Sequence, residues 1–214
     1  MATAEKVLRI AQGELGTKED PAGSNRVKYN TWYYGREVSG TAYPWCMVFV
    51  QWCFAQAGAP LPVKTASCGA MMTAAKRAGQ WVTGDYRPGD VVIYDFPGGG
   101  ATDHTGIVER VTKTGVTAIE GNTSRQGSQS NGGEVCRKTR PYRQIVGAVR
   151  PLYREEGKPM DNTPSPAHKE GVEWARKQGI LTGDASGDLR LTEPVSRQQM
   201  CTMLYRFAKK TGHA

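Results

Sequence analysis

One run constrains this chain more than any other: residues 46–57, Cys46-Met47-Val48-Phe49-Val50-Gln51-Trp52-Cys53-Phe54-Ala55-Gln56-Ala57, are apolar on nearly every side. The run is about as long as an average helix and is stopped by Gly58 and Pro60, so it reads as a buried helix that the rest of the chain must enclose. Cys46 is then its first residue. A thiol there meets unpaired N–H groups and the positive end of the helix dipole, which favour thiolate and lower a cysteine's pKa by roughly one unit or more. The plain alternative is a small buried hydrophobe, the usual condition of a free cysteine.

A thiolate that attacks an amide works with a base. The chain has three histidines, and His168 and His213 fall in a separate C-terminal module, which leaves His104 as the histidine available to Cys46. It follows a flexible stretch, Pro97-Gly98-Gly99-Gly100-Ala101-Thr102-Asp103, and opens His104-Thr105-Gly106-Ile107-Val108-Glu109-Arg110-Val111, which reads as a strand. A second strand, Val116-Thr117-Ala118-Ile119-Glu120-Gly121-Asn122, follows a turn containing Gly115. The plausible hairpin registers set His104 opposite residue 124, Asn122 or Glu120. Because strand side chains alternate, Glu120 and Asn122 project on one side, within about 5 to 8 Å of a facing His104. A carboxylate or amide that accepts the imidazole N–H fixes its tautomer and stabilises the imidazolium. The competing description is an exposed hairpin carrying an unrelated His and Glu.

Four elements then stand in order: Lys28-Tyr29-Asn30-Thr31-Trp32-Tyr33-Tyr34-Gly35, Pro44-Trp45-Cys46, His104-Thr105-Gly106-Ile107-Val108 and Glu120-Gly121-Asn122. In that order, residues 1 to about 152 resemble the CHAP amidohydrolase/peptidases, relatives of the NlpC/P60 enzymes with a papain-like core, found in bacteriophage endolysins and bacterial wall hydrolases. The resemblance implies Cys46 as nucleophile, His104 as base, and Glu120 and Asn122 as orienting residues. It implies bacterial peptidoglycan as substrate, cut as an N-acetylmuramoyl-L-alanine amidase or an endopeptidase, with no cofactor. An acyltransferase or transpeptidase on the same core, or a non-catalytic wall-binding protein, are the alternatives. Some phage members carry an Asp-rich calcium loop before the cysteine. Here Glu37-Val38-Ser39-Gly40-Thr41-Ala42-Tyr43 has a single carboxylate, too few for a hard cation, so no metal is expected.

No stretch approaches 18 apolar residues, and Met1-Ala2-Thr3-Ala4-Glu5-Lys6 starts an amphipathic helix rather than a signal peptide. The expectation is synthesis in the host cytoplasm, no membrane insertion, and delivery to the cell wall by a route such as a phage holin. Cys46 and Cys53 differ in rise by about 10 Å on one helix, too far to bridge. Without Cys-x-x-Cys or a Cys/His cluster, Cys53, Cys68, Cys136 and Cys201 read as packing residues. The net charge of +8 splits into +2 for residues 153–214 and +6 for the remainder. A basic domain is drawn to polyanions, and the lack of a Lys/Arg run or recognition helix favours anionic wall polymers over nucleic acid.

The expected fold class is α+β, with N-terminal helices packed on an antiparallel sheet, plus a small helical C-terminal module. Helices are expected at 4–15, with Val7, Leu8, Ala11 and Leu15 inward, at 46–57, and at 67–78, capped by Ser67. Strands are expected at 90–96, 104–112, 116–122, 134–140 and 145–151. Residues 124–133 form a long polar loop that either rims a substrate groove or is plain surface. Trp32, Tyr33, Tyr34 and Trp45 either line that groove, with Tyr33 and Trp45 as candidate substrate contacts, or pack the core.

The domain reading is a catalytic domain at 1–152, a linker at 153–160 and a module at 161–210. In the module, Ser165 and Pro166 start a helix through Gln178 closed by Gly179. Ser196 and Gln199 form a capping box for a second helix, with Met200, Met203, Leu204 and Phe207 inward. Val172-Glu173-Trp174-Ala175, Gly179-Ile180-Leu181-Thr182-Gly183 and Pro194-Val195-Ser196-Arg197 resemble a single S-layer homology motif, which implies binding to secondary wall polymers. Such motifs usually act in threes. One helix pair buries little, so the module is expected to self-associate into a homo-oligomer or to dock on the first domain. The gap of 17 residues from Gly179 to Ser196 is too long for a DNA-binding helix-turn-helix.

Overall fold

Thr3 ends an extended approach and accepts the backbone N–H of Lys6, which starts helix α1 (Ala4–Gly13) with Val7 and Ala11 buried. In the computed structural model, which describes residues 2–96, 102–153, 161–183 and 187–212, three more helices follow in the first unit: α2 (Lys28–Tyr34), α3 (Cys46–Ala57) and α4 (Cys68–Arg77). The glycine-rich stretch 97–101, the expected linker from 154 to 160, and residues 184–186 lie outside the described residues. The chain divides into two units, Ala2–Arg154 and Glu155–Ala214.

Helix α3 has the bounds its sequence dictates. Gly58 takes the left-handed conformation at φ 72° and turns its N–H back onto Phe54 and Ala55 carbonyls, a conformation only glycine adopts without strain. Nine of its twelve residues are buried. Each fully buried Val, Phe or Met contributes about 1.5–3 kcal/mol, so α3 anchors the core.

Six strands follow: β1 (Trp81–Val82), β2 (Val91–Tyr94), β3 (His104–Val111), β4 (Gly115–Thr123), β5 (Glu134–Pro141) and β6 (Ile145–Val149). They form one sheet in the order β1-β6-β2-β3-β4-β5, with antiparallel neighbours throughout. The unit is therefore an α+β fold of helices on an antiparallel sheet. Val91, Ile93, Ile107, Ile119 and Val149 join the helices in the main core, while Val92, Tyr94, Val108, Val116, Ala118 and Ala148 form a second apolar cluster. This is the two-residue alternation of strands buried on both faces.

The β3–β4 hairpin carries an irregularity. Val111 pairs with Val116 and Arg110 with Thr117, and after a bulge Val108 pairs with Ala118 and Ile107 with Ile119. This second register is one of the three that the sequence leaves open. Two glycines let this hairpin be approached closely. A Cβ on Gly106 would stand 2.7 Å from Glu120 Cγ, and one on Gly121 would stand 2.7 Å from Phe49 Cβ and 2.8 Å from Trp45 Cζ3. The first turn of α3 therefore rests directly on the β4 backbone. Tyr153 also packs in this unit: its hydroxyl donates to the Gly89 carbonyl at 2.6 Å, and its ring lies 6.2 Å from Phe54.

The second unit holds a 3-10 turn (Pro166–His168), α5 (Lys169–Lys177) and α6 (Arg197–Thr211). Ser196 and Gln199 form the expected reciprocal cap of α6. The expected inward face is not buried. Met203 is half-buried, but Met200, Leu204 and Phe207 are exposed, as is Cys201, which was expected to pack. Trp174 meets Phe207 edge-on at 6.2 Å and Arg206 donates to the Ile180 carbonyl at 3.2 Å. Two short helices give each other too little surface to bury a full apolar stripe. Among the described residues, no helix is long and apolar enough to cross a membrane.

Candidate active site

Cys46 is the first residue of α3. The residue before it, Trp45, makes no side-chain capping bond to the first turn, whose Met47 N–H bonds the Cys46 sulfur. Trp45 itself is fully buried; its indole N–H donates to Glu19 Oε1 at 2.7 Å, and its ring stacks on Tyr29 at 5.4 Å. It packs in the main core. Tyr33 is half-buried, edge-on to Tyr34 at 5.0 Å, with Lys64 Nζ 5.2 Å from its ring centre.

His104 opens β3, pairs with Tyr94 on β2, and is fully buried. Its ring lies 6.2 Å from that of Tyr94 and 6.0 Å from that of Phe96, which shield it from water. Nε2 stands 3.2 Å from Glu120 Oε2. The Glu120 side chain reaches it across Gly106, whose missing Cβ leaves the path open. Nδ1 is buried without a hydrogen-bond partner, and Cys46 is the other group that bears on the imidazole.

Asn122 departs from the expected alternation. It sits at φ 55°, where the β4–β5 register shifts between Glu120 and Thr123. Its amide is buried and neither Oδ1 nor Nδ2 has a hydrogen-bond partner. Glu120, not Asn122, therefore holds the imidazole in this structure.

The electrostatics follow from these contacts. A hydrogen bond from Cys68 is the largest influence on Cys46; it outweighs burial and, with His104 and the Met47 N–H, holds the thiol well below the ordinary range. Cys68 moves the opposite way: its bond to Cys46 and its burial push it well up. The two shifts assign the negative charge to Cys46. Burial would depress His104, but its bonds to Cys46 and Glu120 prevail and raise it to about 9. Burial would likewise raise Glu120, yet His104 and Arg140 keep it below the usual carboxylate value. A buried thiolate beside an imidazolium, at a helix start, is equipped to attack an electrophilic carbon.

Two participants escape the sequence reading. Cys68, taken there as packing, is the first residue of α4 and touches Cys46. Arg140 on β5 donates from Nε to Glu120 Oε1 at 3.1 Å and from Nη2 to Oε2 at 2.6 Å. The one available signal for Cys68 was Ser67, which marks a helix start directly before it. Arg140 offers none, since it stands among Arg137, Lys138 and Arg143 and reads as one more solvated basic residue. Among the described residues, no group of three His, Cys, Asp or Glu side chains is placed to hold a metal ion.

Residues 38–122 match the family model of the CHAP domain, a span that contains Cys46, His104, Glu120 and Asn122. Among solved structures, the chain is similar to the wild-type endolysin LysIME-EF1, at 12% identity and a TM-score of 0.46, covering 84% of this chain and 87% of that one. It is also similar to Ly7917, at 17% identity and a TM-score of 0.41, covering 70% of this chain. The chain spans 62% of the length of Ly7917. A search of curated proteins finds no match.

Proposed function

We propose that this chain is a cysteine-dependent peptidoglycan hydrolase that cleaves an amide bond in the peptide part of the bacterial wall. The observation that carries the reading is Cys46 at the start of α3 together with the buried His104–Glu120 contact at 3.2 Å, inside the span that matches the CHAP domain; the downward pull on the Cys46 thiol supports it.

The Cys46 thiolate attacks the carbonyl carbon, forming a C–S bond, and the resulting oxyanion is held by backbone N–H groups at the start of α3. The His104 imidazolium then gives its proton to the leaving amine as the C–N bond breaks. Neutral His104 next takes a proton from water, which attacks the thioester and releases the acid and the thiolate. Glu120 keeps Nε2 protonated and the ring in place throughout. Asn122, with both amide atoms unpartnered, and Tyr33 serve the substrate side of this site. The second unit serves as the wall-binding module, and the net charge of +8 favours anionic wall polymers as its surroundings.

Digestion of purified peptidoglycan, followed by amine quantification and mass spectrometry, tests the reading. New amino groups on peptide are expected while the glycan strands keep their length, and the fragment masses place the cut at the sugar–peptide amide or between amino acids. Shortened glycan strands without new amines would overturn the reading. Products carrying an added amine in place of water would reassign the chain as an acyltransferase.

A further inference from the structure

We infer that Arg140 is a positioning residue, which holds the Glu120 carboxylate in place for His104 and thereby sustains the Cys46 thiolate. The inference rests on the reading that Cys46 and His104 act as a pair. Glu120 Oε2 is shared: it lies 2.6 Å from Arg140 Nη2 and 3.2 Å from His104 Nε2, while Oε1 accepts from Arg140 Nε at 3.1 Å. A carboxylate gripped at both oxygens cannot rotate away from the imidazole.

The guanidinium is itself immobilised. It lies 4.8 Å from the Phe96 ring centre and 5.7 Å from that of Tyr94, and Nη1 donates to Gln129 Oε1 at 2.9 Å. Charge balance gives Arg140 its second role. Cys46 thiolate, His104 imidazolium, Glu120 carboxylate and Arg140 guanidinium sum to zero, and Glu120 is fully buried with Arg140 nearly so. Without Arg140 the buried set carries a net negative charge, which protonation of Cys46 or Glu120 relieves. The first ends the thiolate–imidazolium pair outright, and the second removes the negative charge that holds its imidazolium. The other titratable groups facing the set are Tyr94 from β2, Cys68 from α4, Cys136 opposite Glu120 on β5, and Asp103 just ahead of β3; all four remain in the variants below.

The test is alkylation of Cys46 by iodoacetamide in the full chain, resolved by peptide mass spectrometry across pH. Arg140→Met should raise the pH of half-maximal alkylation by about one unit or more. Arg140→Lys, which keeps the charge but loses the two-bond grip, should fall between Arg140→Met and wild type. In a Glu120→Gln background, Arg140→Met should add a smaller shift, because the grip on the carboxylate is already gone and only the guanidinium charge is left to lose. A folded variant with the wild-type midpoint, or an equal shift in the Glu120→Gln background, would overturn the inference. Should Arg140→Met fail to fold, Arg140→Lys decides: an intermediate midpoint supports the role and a wild-type midpoint overturns it. The measurement needs no wall substrate. Failure of the wild-type chain to cut peptidoglycan would therefore overturn the proposed function alone, whereas an ordinary thiol midpoint in wild type would remove the activated pair itself.

Discussion

Cys46 and Cys68 each open a helix, and their thiols share a hydrogen bond in which Cys46 carries the charge. Two helix starts thus converge on one sulfur, with the first-turn N–H groups of α3 at its own end and the Cys68 S–H donated from α4. Cys68→Ala removes the largest influence that lowers the Cys46 thiol. The pH of half-maximal Cys46 alkylation should rise by about one unit, with roughly tenfold slower wall cleavage on the acid side and little change near pH 8. An unchanged alkylation profile in folded Cys68→Ala would show that α3 and His104 suffice.

Cys46→Ala should abolish wall cleavage while leaving the thermal midpoint within a few degrees of wild type, because little side-chain volume is lost. Iodoacetamide at pH 7 should label Cys46 ahead of buried Cys53, whose thiol is pushed well up by burial. Cys201 is exposed and will react at an ordinary rate, so labelling must be resolved peptide by peptide.

The pH–rate profile should be a plateau bounded by the two members of the pair. Its acid limb reports Cys46, displaced well below the ordinary thiol, and its alkaline limb reports His104 near 9, where the proton for the leaving amine is lost. The two members act on stability with opposite signs. His104 binds its proton more tightly folded than unfolded, where its value is 6.5, so its contribution is complete below pH 6.5 and is lost as pH rises through about 9. Cys46, lowered on folding, contributes stability that grows with pH over the same range. Calorimetry at pH 6, 8 and 10 should therefore show little change in the wild-type thermal midpoint, and a rise with pH in a His104→Gln chain, where only the Cys46 slope remains.

Gly121→Ala should place a methyl 2.7 Å from Phe49 Cβ and 2.8 Å from Trp45 Cζ3. Relief requires lifting α3 from the sheet, so a loss of about 1–3 kcal/mol is expected, together with reduced cleavage because Cys46 travels with the helix. Gly171→Ala in α5, with open space at its Cβ, is the control and should stabilise by about 0.5–1 kcal/mol. Denaturant titrations of the two variants against wild type measure both effects.

A chain ending after Tyr153, rather than at 152, keeps the bond to Gly89. It should fold and cleave small soluble wall peptides at close to the intact rate. On whole walls it should be slower, having lost an anchor that raises its local concentration. Light scattering tests the exposed residues of α6: an oligomeric intact chain and a monomeric shortened one would assign self-association to that helix.

What the sequence shows is the part of the structure governed by neighbours along the chain. The bounds of α3 follow from Gly58 and Pro60, and the hairpin from Gly115 between two β-branched runs. Helix α2 goes unread because no side chain caps it and its seven residues are too few to show a period. The bulge between Val108 and Arg110 has no turn residue to announce it. Glu120 is visible as a candidate, since strand alternation alone brings it near His104. Arg140 and Cys68 are not, because each acquires its partner only when β5 joins β4 and α4 meets α3.

The line from Cys46 through His104 and Glu120 to Arg140 crosses one helix and three neighbouring strands, so its members are strangers until the sheet is complete. A newly made or partly melted chain has an ordinary thiol and no acid to pair with it. The bond-breaking power is thus withheld until the final register is reached, and it should vanish on heating together with strand pairing rather than with helix content. A site built this way carries its own proofreading: only correctly assembled copies are armed.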